Sequence, residues 1–109
     1  MANTFKNAYY DVTTSLAAAY TCPGSTTAIV LTLRITNVDG ANDATVNATV
    51  TDGSSGESYI AYTMTVPADS SIELAGTSKL VLETGDIVKL QASAASDLEA
   101  FISVLQITA

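Results

Sequence analysis

The chain has 109 residues, 48% of them hydrophobic and 14% charged, and a formal net charge of −7. That length is one domain's worth of chain, able to build a single core without disulfide staples, and the apolar fraction excludes a disordered segment. Eleven acidic residues against four basic ones exclude nucleic acid as a direct ligand and disfavour anionic membranes, because the cations that displace phosphate counterions are missing.

At the start, residues 1–7 are polar and read as an N-terminal arm, ahead of one β-sandwich domain over 8–109. No apolar run follows Lys6 that would make a secretory signal, and no stretch is long enough for a membrane-spanning helix. "AYYDVTT" (8–14) and "LAAAYT" (16–21) read as two short strands. Alanine propensity would allow a helical turn in the second, but its Thr, Tyr and Pro neighbours oppose one.

"AIVLTLRITN" (28–37) alternates, with Ile29, Leu31, Leu33 and Ile35 on one side and Thr32, Arg34 and Thr36 on the other. "TVNATVTD" (45–52) puts Val46, Ala48 and Val50 on one face, opposite Thr45, Asn47, Thr49 and Thr51. In "YIAYTMTV" (59–66), Ile60, Tyr62, Met64 and Val66 are expected inward, and Tyr59, Ala61, Thr63 and Thr65 outward. "KLVL" (79–82) and "IVKLQA" (87–92) flank the tight turn "ETGD" (83–86). The last segment, "LEAFISVLQI" (98–107), is apolar on both faces: Phe101, Leu105 and Ile107 against Leu98, Ala100, Ile102 and Val104. Such a strand is either covered on both sides or meets another subunit.

Gly, Asp, Asn and Ser clusters at 37–43, 52–58 and 93–97 mark the breaks. Two further breaks echo each other, "TCPGSTTAIV" (21–30) and "TVPADSSIEL" (65–74). Proline bars ladder pairing at a strand entrance, so each reads as a corner where the chain crosses between sheets. Eight or nine short strands without helical periodicity predict an all-β fold, an antiparallel, jelly-roll-like β-sandwich.

Chemistry is sparse. The absence of histidine removes the usual general base and the commonest metal ligand. Cys22 is the only cysteine, so no intramolecular disulfide forms, and its setting between Thr21 and Pro23 suits a small core residue better than a reactive thiol. Glu83 and Asp86 are a close acidic pair, but at a turn, where solvation argues against glycosidase chemistry. Asp39, Asn42 and Asp43 offer oxygens to calcium without the spacing of a calcium loop, and a plain turn is the simpler reading. Ser54, Ser55, Ser70 and Ser71 have no partner base, and Ser78 next to Lys79 points to the opposite face of a strand. Tyr9, Tyr10, Tyr20, Tyr59 and Tyr62 serve either as sugar-stacking platforms or, more commonly, in a core or interface. No enzyme, catalytic residue, cofactor or metal is expected.

The stretch "YTCPGSTTAIVLTLRITNVDGANDATVNATVTD" resembles a segment of small tailed-bacteriophage virion proteins, with a Y-T-x-P corner opening a long strand. The continuation, with its V-P-A-x-S corner and the turn "KLVLETGD", resembles their second half, Gln106 standing where an acid is often found. Together these segments cover roughly residues 20–109, and their motifs are structural. The resemblance implies a capsid cement or decoration protein, made in the bacterial host cytoplasm and carried on the virion. It further implies a homo-oligomer, trimer or dimer, that binds the phage major capsid protein without nucleic acid or membrane. A neck or tail accessory protein and a carbohydrate-binding adhesion module are the alternatives. The surfaces expected to meet partners are the 1–7 arm and the outward face of residues 98–107.

Overall fold

The structure, a computed structural model, describes residues 2–52, 54, 56–75 and 79–108. Nine strands follow in order: β1 (Ala2–Asp11), β2 (Ala17–Thr21), β3 (Thr26–Asn37), β4 (Ala44–Thr51), β5 (Glu57–Val66), β6 (Ser71–Glu73), β7 (Leu80–Leu82), β8 (Ile87–Ala92) and β9 (Leu98–Thr108). Among the described residues no helix is long and apolar enough to cross a membrane. One sheet runs β1-β9-β3, with β6 and β7 following one another along the far side of β3. The other runs β2-β8-β4-β5, and every pairing in both is antiparallel. The two sheets pack together as the expected antiparallel β-sandwich.

The core lies between them. Leu33, Ile35, Ile102 and Val104 from the first sheet meet Val46, Val88 and Leu90 from the second, all essentially without solvent contact. Each such side chain contributes roughly 1.5–3 kcal/mol on burial. β9 follows its alternation throughout: Leu98, Ala100, Ile102 and Val104 are buried, while Phe101, Leu105 and Ile107 point outward and are half-covered. In β4, Val46, Ala48 and Val50 share a face with Ala92, Leu90 and Val88. Thr49 and Thr51 on its other face are nevertheless buried, and their hydroxyls donate to Glu57 Oε2 (3.2 Å) and the Gly56 carbonyl (2.7 Å).

Two strands depart from strict alternation. In β3 the register against β9 shifts between Val30 and Thr32, which makes Leu31 an extra residue. A bulge of this kind turns the side chains that follow by one face. Ala28 and Val30 therefore point inward before it and Leu33 and Ile35 after it, whereas Ile29 and Leu31, expected inside, are only half-buried. The Leu33 N–H beside the bulge donates to Glu73 Oε2 at 2.7 Å. β5 carries two register shifts against β4, with Thr63 at φ 50°. Tyr62 and Met64, expected inside, are exposed there, and Ala61, expected outside, is buried. A β-branched residue in the left-handed region is strained. Thr63→Gly should therefore raise the unfolding free energy by about 0.5–1 kcal/mol, the strain relieved exceeding the entropic cost of glycine. A denaturant midpoint that falls would contradict this.

The N-terminal segment also differs from expectation. Residues 2–7 form the first part of β1, paired residue by residue with β9, although their side chains stay exposed. Residue 1 lies outside the described residues, as do residues 53, 55, 76–78 and 109.

Both proline corners cross from the second sheet to the first, from β2 to β3 and from β5 to β6. Their likeness extends to the backbone. Cys22 and Val66, the residues before proline, are buried, and two positions after it Ser25 and Asp69 take φ of 54° and 59°. The next hydroxyl then donates back two residues, Thr26 Oγ1 to Gly24 O (2.9 Å) and Ser70 Oγ to Ala68 O (3.3 Å). Each corner docks on another loop. The first exchanges backbone bonds with the 83–86 turn, Cys22 N–H to Asp86 O and Gly85 N–H to Cys22 O. The second is held by Asn37, whose Nδ2 donates to Val66 O (2.9 Å) and Asn42 O (3.0 Å) while its Oδ1 accepts from the Asp39 N–H (2.8 Å).

Candidate interface surface

The outward face of the first sheet is where unused apolar surface collects. Residues directly opposite in antiparallel strands project from the same face, so the register defines rows across the sheet. One row reads Phe5 (β1), Leu105 (β9), Ile29 (β3) and Val81 (β7). Its ends are open to water, Phe5 74% and Val81 63% exposed, and its middle is half-covered by the flanks. A parallel row reads Tyr9, Phe101, Arg34 and Glu73. Tyr9 is 79% exposed and leans on Phe101, ring centroids 5.4 Å apart at 49°. Arg34 and Glu73 stand 4.0 Å apart at the polar end of that row. Between the two rows lie Asn7, Ser103 and Thr32, with the Ser103 hydroxyl donating to Asn7 Oδ1 at 3.0 Å. An apolar band four strands wide is the kind of patch that marks a contact surface, and a second, smaller exposed apolar group, Tyr59, Tyr62 and Met64, lies on β5.

The outward face of β9 was expected here. Phe5 lies in the 1–7 segment that was also expected to meet partners, whereas Ile29 and Val81 were not expected, Ile29 changing face only through the Leu31 bulge. The spacing of Phe5 and Tyr9, both on one side of an extended strand, was the available signal for the β1 part of the surface.

The remaining candidate residues have structural roles. Cys22 is 2% exposed, and its thiol points at the carbonyls of Thr26 (3.3 Å) and Leu82 (3.6 Å). Burial, together with the negative Asp86 nearby, pushes its pKa up against the opposing backbone hydrogen bond. A raised folded-state value means this thiol supports the fold below its ordinary pKa and withdraws that support as pH rises through the raised one. In native protein at pH 8 Cys22 should be inert to a soluble aromatic disulfide and react fully after guanidinium unfolding; prompt native reaction would overturn this placement.

Glu83 and Asp86 cap their own turn, the Glu83 N–H donating to Asp86 Oδ2 and the Asp86 N–H to Glu83 O, both at 2.9 Å. Asp39 accepts from the Ala41 N–H first, then from the Asn42 side chain and N–H, which hold its carboxyl below the usual range. Asp43 Oδ1 accepts from the Ala68 N–H. Ser54 and Ser70 bond to Asp52 and Ala68, and Ser71 accepts from Arg34. Ser55 and Ser78 lie outside the described residues. Tyr10 packs on the core, and Tyr20 spans the sheets, its hydroxyl accepting from Gln106 Nε2 at 2.7 Å. Tyr59 and Tyr62 pair edge to face, centroids 4.9 Å apart at 79°. The two rings therefore do not lie in one plane.

No protein-family model matches the chain, and no curated protein matches it. Solved structures do. A subunit of Bacillus endospore appendages, described as disulfide-linked pili, superposes with a TM-score of 0.58 at 16% identity, covering 98% of this chain and 87% of that one. A pentameric capsid protein from metagenomic phage sequences superposes with a TM-score of 0.50 at 20% identity, covering 94% of this chain and 61% of that one. What they share with this chain is the fold.

Proposed function

We propose that the chain is a structural subunit of a bacteriophage virion, and specifically a capsid cement or decoration protein. The observation that carries this is the Phe5–Leu105–Ile29–Val81 row, apolar surface that the chain's own core does not use. Its neighbours by fold, a pentameric phage capsid protein and an appendage subunit, are by description building blocks of assemblies. The mechanism in this reading is mechanical. Many copies each bury the band against neighbouring coat subunits and raise the free energy of opening the shell. Because the single thiol is buried, this reading does not join folded copies through disulfides.

The test adds purified protein to heads of the phage that encodes it, prepared without it. Co-sedimentation at many copies per head and a regular surface array in electron micrographs are expected. A single ring at one vertex would instead make it a neck or tail protein. No association with any particle would overturn the structural reading.

A further inference from the structure

We propose that β1 is a self-pairing edge, through which two copies of the chain join into a two-fold dimer with one continuous sheet. This rests on the assembly reading above and names a contact within it.

Among the described residues the sandwich has four strand edges, and three of them are blunted. β6 and β7 divide one edge into pieces of three residues each. β2 is five residues long with a register shift. β5 is long, but it carries two shifts and the left-handed Thr63. Short, bulged or interrupted edges are how sandwiches avoid pairing with other chains. β1 alone has none of these devices. Its ten residues keep one unbroken register with β9, contain no proline and carry no left-handed residue. Among the described residues no strand pairs with its other side.

Charge favours a second copy there. The chain carries −7, so identical molecules repel over most of their surface. On β1 the charges are Lys6 and Asp11, which cancel. Lys6 is the one feature that would discourage pairing, and the register decides what it meets.

The strand's own pattern selects that register. By their β9 partners, Phe5, Asn7 and Tyr9 point to the outer face. An antiparallel pair centred on Asn7 keeps both outer faces on one side and sets each Phe5 opposite the other copy's Tyr9. Aromatic cross-strand pairs are among the more favourable. Asn7 then meets Asn7, and Lys6 meets the small Ala8. The Phe5–Leu105–Ile29–Val81 row runs on through Tyr9 and Phe101 of the second copy, which lengthens it from four side chains to six.

The test uses the intact chain and two substitutions at the two-fold axis. Opposed side chains there are about 4.5–5.5 Å apart at Cβ, close to disulfide reach. Asn7→Cys, oxidised with copper–phenanthroline, should give a covalent dimer in high yield, whereas Phe5→Cys and Tyr9→Cys singly should give little. Wild type, with Cys22 buried, serves as the control. Asn7→Asp retains the acceptor for Ser103 and sets two carboxylates face to face, so the sedimentation dimer should weaken about tenfold. High salt should restore part of that loss.

Cross-linking as efficient from Phe5→Cys as from Asn7→Cys would overturn the register. A wild-type monomer at millimolar concentration, or a dimer indifferent to Asn7→Asp, would overturn the proposal. Head binding that survives in a strictly monomeric protein would sink the dimer and leave the structural role standing.

Discussion

Asn37→Ala is expected to lower the unfolding free energy by about 3 kcal/mol, leaving the buried Val66 carbonyl without its donor and freeing the Asn42 carbonyl and Asp39 N–H. For a domain of this size that corresponds to a fall in Tm on the order of 15 °C. Asn37 is 1% exposed, so water does not simply replace the lost partner. It also ties three segments together. Its own N–H donates to Ser70 O and its side chain to Val66 O, so the end of β3 holds the second proline corner against the 38–43 turn. Asn37→Asp should cost more at neutral pH, because a buried carboxylate offers no donor to two carbonyls. Burial would raise the pKa of that new carboxyl, so stability should recover as pH falls and the protonated form donates again. Thermal melts of both variants against pH check the sign. A loss below about 1 kcal/mol for Asn37→Ala would mean that the corner holds without this residue.

The second large effect is on assembly rather than on folding. Phe5→Glu combined with Val81→Glu should abolish association with phage heads, weakening it more than about 100-fold, while leaving the melting curve almost unchanged. Both side chains are mostly exposed in the isolated chain, so their replacement opens no cavity. On docking, each would bury apolar surface worth on the order of 1–2 kcal/mol, and each new carboxylate would have to be desolvated against an apolar partner. A control pair on the opposite sheet, Tyr59→Ser with Tyr62→Ser, removes exposed aromatic surface without touching the band. If the control pair weakens head binding as much as the band pair, the contact surface is β5 and not the outer face of the first sheet.

Much of the fold was legible in the residues. Leu98, Ala100, Ile102 and Val104 alternate without interruption, and β9 runs straight between two partners, so spacing of two translated directly into inside and outside. The proline corners were legible because proline and the left-handed residue two places on act through the local backbone. Both cross the sandwich as their sequences suggested. Turns at 37–43 and 83–86 were set by the same kind of local chemistry, an Asp or Asn side chain capping nearby N–H groups.

What local chemistry could not decide was phase and partnership. A bulge at Leu31 depends on how β3 fits against β9, 70 or so residues later in the chain, and it moved Ile29 from the expected core to the outer face. The shifts in β5 likewise exposed Tyr62 and Met64. Residues 2–7 looked like a loose arm because their side chains are polar, yet a strand needs only backbone groups to pair, and β9 supplied them. The sequence by itself determined which segments are extended, where the chain turns, and that no basic surface or histidine chemistry is available. Only the tertiary structure decided which apolar residues are left over, because two-residue periodicity is broken by insertions that arise between strands and not within one. The Phe5–Leu105–Ile29–Val81 band is assembled from four strands far apart in the chain, and no single stretch of sequence contains it.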